Sequence, residues 1–309
     1  VEWGDGTVER STSNTLAHTY AAGSYVLKIR TAQQYVPSFN NSTDEDQITS
    51  VALVSDLDVG TSLTSAWLGA NNMTEFNAAS SVTAGVTNFS GTWRNCSGLT
   101  NFPLIDTSSG TNFSNAWNNC NSLTAFPLID TSSGTNFSTA WQNCSSLTSF
   151  PLIDTSSGTS FAFAWSFCSS LTNFPMLDVS SGTNFSLAWE GCSALTSFPA
   201  LTMNNATTFE RAWRSNSNLV TFPANVFDNW TGTPANNCFV STWLGCISLT
   251  ATSVENILNS IDTSGQSAPA SGVDITISYN AASGTPDIST AVNNLKSRNW
   301  TITLNGVLQ

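Results

Sequence analysis

One 24-residue unit recurs through the middle of this chain. Six tryptophans lie 24 residues apart, six phenylalanines precede them by four residues, and six leucines follow them by six. The three rows are Trp93, Trp117, Trp141, Trp165, Trp189 and Trp213; Phe89, Phe113, Phe137, Phe161, Phe185 and Phe209; and Leu99, Leu123, Leu147, Leu171, Leu195 and Leu219. A fixed period in this range is typical of stacked repeat units. It therefore predicts a continuous core in which like side chains pile on one another.

Each unit divides into two patterned segments and a polar turn. In the unit 112–135, apolar residues have the i, i+3, i+4, i+7 spacing of a short helix, namely Phe113, Ala116, Trp117 and Cys120. The run 123–128 then has the Leu-x-x-Phe-x-Leu pattern of a repeat strand, which places Leu128 in the core. These patterns predict an α/β solenoid, a leucine-rich-repeat stack of 24-residue coils with a short helix and a parallel strand in each.

The stack extends beyond the six clear units. Degenerate copies of the pattern occur earlier, around Trp67, and later, around Trp243. Because Trp213 and Trp243 are 30 residues apart, six residues are inserted, and they fall within 225–237. Insertions in a solenoid form surface loops, so Trp230 is a candidate ligand-binding aromatic. We nevertheless favour an aromatic side chain that packs the loop.

The two ends depart from the period. Residues 1–45 contain Trp-Gly-Asp-Gly-Thr and His-Thr-Tyr segments that resemble part of a PKD-type β-sandwich, and we interpret Val1 as a processing boundary. Residues 46–251 are assigned to the solenoid. Residues 252–309 are assigned to an αβ cap with helices at 253–261 and 288–297 and strands at 274–278 and 300–304, because terminal repeats need an atypical cap.

The whole unit resembles a known repeat family. Its consensus, Asn-Phe-Ser-x-Ala-Trp-x-x-Cys-x-x-Leu-Thr-x-Phe-Pro, is similar to the BspA-type leucine-rich repeats of bacterial and phage surface proteins. The PKD-like start and the Trp-Thr-Ile-Thr-Leu ending fit the phage versions. The resemblance implies a non-catalytic adhesin or attachment protein on a virion or cell surface, and it transfers no binding residue. The repeat departs from the family where Asn216 takes the place of the cysteine.

Charge excludes several partner classes. The net charge is −12, only 9% of residues are charged, and no Lys, Arg or His lies between Arg94 and Arg211. A nucleic-acid groove needs a basic stripe, and an anionic membrane would repel this chain. No apolar run approaches the roughly 20 residues that span a bilayer. We therefore expect neither nucleic-acid binding nor membrane insertion.

Cysteine and aspartate recur in the units without forming a known catalytic motif. Six of the seven cysteines share one repeat position, too widely spaced for easy disulfides, and we expect buried free thiols, with Asn216 making an equivalent inward contact. The repeated carboxylates are Asp106, Asp130, Asp154 and Asp178. We expect each to cap its own Thr-Ser-Ser-Gly turn, with a Ca²⁺ ion between turns as the alternative. Identical turns do not differentiate an acid from a nucleophile, so we expect no catalytic site and no cofactor.

The outward strand positions are the candidate ligand face. They carry Thr100, Asn101, Thr124, Thr148, Ser149, Thr172, Asn173 and Thr196, with Trp230 in the inserted loop. Strand faces of solenoids are recognition surfaces, and neutral hydroxyl and amide groups suit a host-surface glycan or protein. Threonine is also common on inert exposed strands. The alternatives to attachment are a structural decoration protein that contacts other copies or subunits of an extracellular assembly, and a polysaccharide-degrading enzyme.

Overall fold

The computed structural model describes residue 6, residues 48–53 and residues 59–309. The segment 1–45 interpreted as PKD-like lies outside the described residues, apart from Gly6. Equivalent positions of successive units are neighbours, joined by parallel bridges such as Asn112 to Asn136 and Asn136 to Ser160. Within the described chain, regular helices and strands occur at the two ends of this stack.

The first described elements lead into the stack. Strand β1 (Ser50–Leu53) pairs in parallel with β2 (Glu75–Ala78), and the single-turn helix α1 (Ser80–Thr83) follows. Trp67 stacks on Trp93 with ring centroids 6.0 Å apart, so the degenerate early unit joins the repeats.

The C-terminal region closes the other end. It comprises helix α2 (Ala251–Thr263), strand β3 (Val273–Ile277), a 3₁₀ turn (Ala281–Ser283), helix α3 (Ser289–Ser297), strand β4 (Trp300–Leu304) and strand β5 (Val307–Leu308). The sheet order is β3-β4-β5, parallel and then antiparallel. Thr250 caps α2 by accepting a hydrogen bond from the Ser253 amide at 3.2 Å. The four elements expected here are confirmed to within two residues at each end.

The short helix expected inside each unit is wrong. The segment is instead a pair of four-residue turns: the Ala116 amide donates to the Phe113 carbonyl, and the Cys120 amide donates to the Trp117 carbonyl, both at 3.1 Å. The third residue of each turn has a positive φ, 58° at Asn115 and 61° at Asn119, as in type II turns. Each turn returns the chain to the same side, which reproduces the helix-like spacing of apolar residues.

Hydrogen bonding between units explains why turns replace the helix. Alternate amides of this segment donate to carbonyls of the following unit at 2.8–2.9 Å: Phe113 to Asn136, Asn115 to Ser138, Trp117 to Ala140, and Asn119 to Gln142. An α-helix would use these N–H groups internally and remove this set of hydrogen bonds to the following unit. This segment alone thus contributes four backbone hydrogen bonds to each such pair of units.

The core consists of aromatic rows, as expected. Trp117, Trp141 and Trp165 are fully buried, and their rings stack with centroids 5.5 and 5.6 Å apart and planes within 7°. Phe126 meets Trp141 edge-on at 5.4 Å, so the two aromatic rows interlock. The prediction that like side chains stack is confirmed. The assignment to the leucine-rich-repeat class stays a prediction.

The strand register differs from the expected one after each proline. Leu128 is 63% exposed, whereas Ile129 is buried. The Ile129 amide donates to the Pro127 carbonyl at 3.0 Å, a three-residue turn that breaks the alternation of an extended strand. The placement of Leu128 in the core is therefore wrong, and the inward position belongs to Ile129.

Candidate recognition face

The eight polar strand residues proposed as a ligand face are all exposed and lie in rows along the stack. These are Thr100, Asn101, Thr124, Thr148, Ser149, Thr172, Asn173 and Thr196. Backbone hydrogen bonds of 3.2–3.3 Å join Thr124 to Thr100, Thr148 to Thr124 and Thr172 to Thr148. The threonine hydroxyls donate to the preceding unit's carbonyl at 3.3–3.5 Å, which orients them along the row.

A row of exposed apolar side chains runs beside these residues. Leu104, Leu128, Leu152 and Met176 occupy one repeat position and are 61–69% exposed. We call these four residues the apolar stripe, and the stripe together with the eight polar residues the strand face. Patches of a few hundred Å² on a monomer are often functional. Sequence reasoning missed the stripe because it assumed alternation through the proline. The available signal was the pair of adjacent apolar residues, Leu-Ile, that follows the proline in the repeat.

The fold does not require large residues in the stripe. Ala200 and Ala224 occupy the same position in the next two units and are also exposed. The stripe is therefore limited to four consecutive units, and its large apolar side chains are not required for the repeat to fold.

Aspartate turns follow the stripe two residues later in each unit. In the turn at Asp154, Oδ1 accepts hydrogen bonds from the Ser156 amide at 2.9 Å and from its hydroxyl at 2.7 Å. The Ser156 hydroxyl and then its amide hold the pKa of Asp154 below its usual value. Equivalent pairs occur at Asp106, Asp130 and Asp178. The capping interpretation of these carboxylates is confirmed.

Trp230 does not belong to the exposed face. Its side chain is buried, its indole N–H donates to the Ala206 carbonyl at 2.6 Å, and its ring contacts Phe239 and Trp300 at centroid distances of 5.3 and 6.3 Å. The inserted segment thus packs Trp230 between the stack and the C-terminal region. The packed-loop interpretation is confirmed, and the candidacy of Trp230 as an exposed binding residue is wrong.

The cysteine row is buried, and its cysteines form no disulfides with one another. In each regular unit the Sγ–H donates to a tryptophan carbonyl one unit earlier, as from Cys144 to Trp117 at 3.2 Å. Burial raises the pKa of Cys192 to about 12, so its thiol is protonated and unreactive at neutral pH. The inward contact expected of Asn216 is wrong, because neither amide atom has a hydrogen-bond partner.

Two further properties bear on cofactors and membranes. Residues 48–53 and 59–309 contain no group of three or more His, Cys, Asp or Glu side chains arranged to hold a metal ion. Among the same residues, no helix combines the length and apolar character needed to cross a membrane.

Comparisons with known proteins add no family assignment. No protein-family model matches this chain, and no curated protein matches it.

Proposed function

We propose that this chain is a non-catalytic recognition or attachment protein, displayed on a virion or cell surface, that binds its partner through the strand face. The observation that carries the proposal is the apolar stripe. Leu104, Leu128, Leu152 and Met176 are exposed at a repeat position where the next two units carry Ala200 and Ala224. Exposed leucines lose hydrophobic stabilisation in the free protein and regain it when a partner covers them.

The composition of the face favours a protein partner over a glycan. Leucine and methionine side chains bury well against apolar side chains, and the adjacent threonine and asparagine rows supply hydrogen bonds at the edge of such a contact. From ring-to-ring steps of 5.4–5.6 Å, the stripe is about 16 Å long, which suits one elongated contact.

Charge supports the same class of partner. No basic residue lies between Arg94 and Arg211, whereas the four aspartate turns border the stripe. An anionic nucleic acid or lipid surface would be repelled. A protein surface that presents apolar groups with neutral or basic surroundings fits this arrangement.

The aspartates support a non-catalytic role. Oδ1 of each one accepts two hydrogen bonds from the serine two residues later, in turns of the same geometry. Hydrolysis by paired carboxylates requires one protonated and one ionised group in different environments. Four equivalent capped carboxylates do not provide that difference. The resemblance of the unit to BspA-type repeats supports placing the protein outside the cell.

Binding of the fluorescently labelled full chain to a panel of bacterial cells and to a glycan array tests the proposal. The informative variant combines Leu128→Ala with Leu152→Ala, since alanine is the residue at this position two units later. The matched control combines Thr135→Ala with Thr159→Ala, two exposed residues of the same units outside the strand face. We expect cell binding that the leucine variant weakens at least about tenfold, or 1.4 kcal/mol, and the control retains.

Three outcomes contradict the proposal in different ways. Absence of binding to every cell and glycan removes the attachment function. Equal binding by the leucine variant removes the strand face as its site. Binding to glycans alone contradicts the protein partner. A structural decoration role is the alternative, and self-association or assembly without cell binding, abolished by the leucine variant, would support it instead.

A further inference from the structure

The apolar stripe and the capped aspartates occupy the same four units. In each unit a carboxylate follows the large apolar residue by two positions: Leu104 and Asp106, Leu128 and Asp130, Leu152 and Asp154, Met176 and Asp178. We call the four carboxylates the aspartate row. The next unit has Ala200 and Thr202 at these two positions, and both are exposed. The stripe and the aspartate row therefore end at the same unit, as parts of one surface would.

The two rows lie side by side. Leu128 and Asp130 are exposed, the Ile129 between them is buried, and the chain limits the Cα atoms of the outer two to about 7 Å apart. Hydroxyl groups hold successive aspartate turns together, because Thr131 Oγ1 donates to the Asp154 carbonyl at 2.5 Å. The same bond recurs in the units before and after it, at 2.5 and 2.6 Å. Each unit therefore presents one apolar side chain and one carboxylate, in two rows with the same repeat.

The aspartate row is negatively charged, and its cap leaves part of each carboxylate for a partner. The Ser180 hydroxyl and then its amide hold the pKa of Asp178 below its usual value, although the nearby Asp154 charge acts to raise it. Within residues 59–309, both hydrogen bonds that each carboxylate accepts go to Oδ1, so Oδ2 can accept one from another molecule. No Lys, Arg or His lies between Arg94 and Arg211. The complementary partner therefore carries positive charge opposite this row.

The spacing of the units fits an α-helix laid along the stack. Along the four units, neighbouring rings of the tryptophan row and of the phenylalanine row next to the stripe are 5.4–6.3 Å apart. Side chains on one face of a helix recur about every 5.4 Å, or about 6 Å for residues four apart. A β-strand repeats on one face about every 6.7 Å and falls out of step by about 2–4 Å over the stripe. A helix is also about 10–12 Å wide, enough to cover both rows at once.

The backbone of these units gives a second reason to prefer a helix. The Thr148 amide donates to the Thr124 carbonyl at 3.3 Å, and the Thr172 amide donates to the Thr148 carbonyl at 3.2 Å. These segments thus pair with one another along the stack. A partner that runs along the stripe crosses them and meets side chains, whereas strand addition requires a row of unpaired amides and carbonyls at a sheet edge.

We propose that the strand face and the aspartate row together bind an amphipathic α-helix of a partner protein. The helix lies along the stack with its apolar side chains on the stripe, and lysine or arginine residues along one flank face the aspartates. The threonine row on the other side of the stripe is neutral, so only one flank is basic. Because exposed ion pairs add little affinity, the stripe supplies most of the binding and the aspartates select the partner. This inference rests on the proposed function and specifies its protein partner.

Three synthetic peptides of about 18 residues test the proposal. The first is alanine-rich, with leucines at positions i, i+4, i+7 and i+11 and a lysine directly after each leucine, which places the lysines along one flank. The second has glutamate in place of lysine. The third is the lysine peptide with a central proline, which breaks the helix. Fluorescence anisotropy measures the binding of each peptide to the full chain, and circular dichroism follows helix formation.

The lysine peptide should bind at least about tenfold more tightly than the glutamate peptide, and its affinity should fall as the salt concentration rises. The proline peptide should lose binding. Leu128→Ala combined with Leu152→Ala should weaken the lysine peptide at least about tenfold. Asp130→Asn combined with Asp154→Asn should reduce the preference for lysine over glutamate at least about threefold. Asparagine keeps the turn cap and removes the charge, so this variant separates recognition from folding.

The matched control is Glu255→Gln combined with Asp287→Asn, which removes the same charge in the C-terminal region and should bind the peptides as the wild type does. Thermal unfolding checks that every variant is folded. The proposal is overturned if the lysine peptide does not bind, if the glutamate or proline peptide binds equally well, or if either variant of the strand face behaves as the control does. Cell binding is measured without these peptides, so it can persist when the helical partner is excluded, and the two proposals fail separately.

Discussion

Replacing Asn216 with cysteine should stabilise this protein. Asn216 is fully buried in the cysteine row, and neither its amide nitrogen nor its amide oxygen has a partner. The flanking units show what the position otherwise does. Cys192 donates to the Trp165 carbonyl at 3.1 Å, and Cys246 donates to the Trp213 carbonyl at 2.9 Å. A cysteine at 216 would make the equivalent contact to the carbonyl of Trp189.

The expected gain follows from the cost of burying unpaired polar groups. Each buried group without a hydrogen bond costs about 1–3 kcal/mol, and the amide contains two such groups. The thiol restores one weak hydrogen bond and is close enough in size to the amide to leave little cavity. We therefore expect Asn216→Cys to raise the free energy of unfolding by about 2–4 kcal/mol.

Urea unfolding under reducing conditions, followed by tryptophan fluorescence, measures this change. Because repeat arrays can unfold in parts, hydrogen exchange of the amides around residue 216 should accompany it. The reverse substitution, Cys168→Asn, is the matched control, since it buries an amide at the same position two units earlier. We expect it to destabilise the protein by a similar amount. Equal or lower stability of Asn216→Cys would refute the reasoning, and would mean that the native amide is satisfied, for example by buried water.

Three further substitutions or conditions give measurable outcomes. The pKa of Cys192 is about 12 in the folded protein and about 8.5 in an unfolded chain, so its contribution to stability is complete below about pH 8.5. As the pH rises toward 12, that contribution declines by up to about 1.4 kcal/mol per pH unit, which urea unfolding at pH 8 and pH 10.5 will show. Gly134→Ala should destabilise the protein by about 1–3 kcal/mol, because its Cβ would lie 2.4 Å from the Phe137 ring; calorimetry checks this, and an unchanged unfolding temperature contradicts it. Ser156→Ala should raise the pKa of Asp154 toward its ordinary value, because it removes the hydroxyl that donates to the carboxylate. During acidification, the stability that this carboxylate contributes is then lost at a higher pH. Carboxyl NMR titration measures the pKa, and an unchanged pKa rejects the capping argument.

Much of the core was accessible from periodicity. The 24-residue spacing identified which tryptophans, phenylalanines and leucines stack, because identical units in register place identical side chains above one another. The protonated thiols and the aspartate caps followed from the same repetition. The C-terminal elements were recognisable because each carries its own local pattern of apolar residues and its own cap.

The backbone of the unit was not recovered in the same way. The spacing of Phe113, Ala116, Trp117 and Cys120 fits one helical face and also fits two consecutive turns. The asparagines at 115 and 119, residues that favour positive φ, were the signal that separates the two. Recognising them as turn residues would have excluded the helix.

The side-chain register was a tertiary outcome. Leu128 and Ile129 are adjacent and equally apolar, and the hydrogen bond between the Ile129 amide and the Pro127 carbonyl selects which one turns inward. Trp230 was placed in an inserted loop and favoured as a packed side chain, but its partners Phe239 and Trp300, the latter 70 residues away, were not predicted. Neither contact is encoded in a local pattern.

The amino-acid sequence alone determined that this chain is built by stacking and which residues form its interior rows, and its charge predicts that anionic partners are disfavoured. These properties depend on repetition and composition, and both are independent of the path of the backbone. The tertiary structure decided which apolar residues are left on the outside, including the stripe at Leu128. Those choices depend on which amides bond to the neighbouring unit, a competition that is resolved only when the units are in contact.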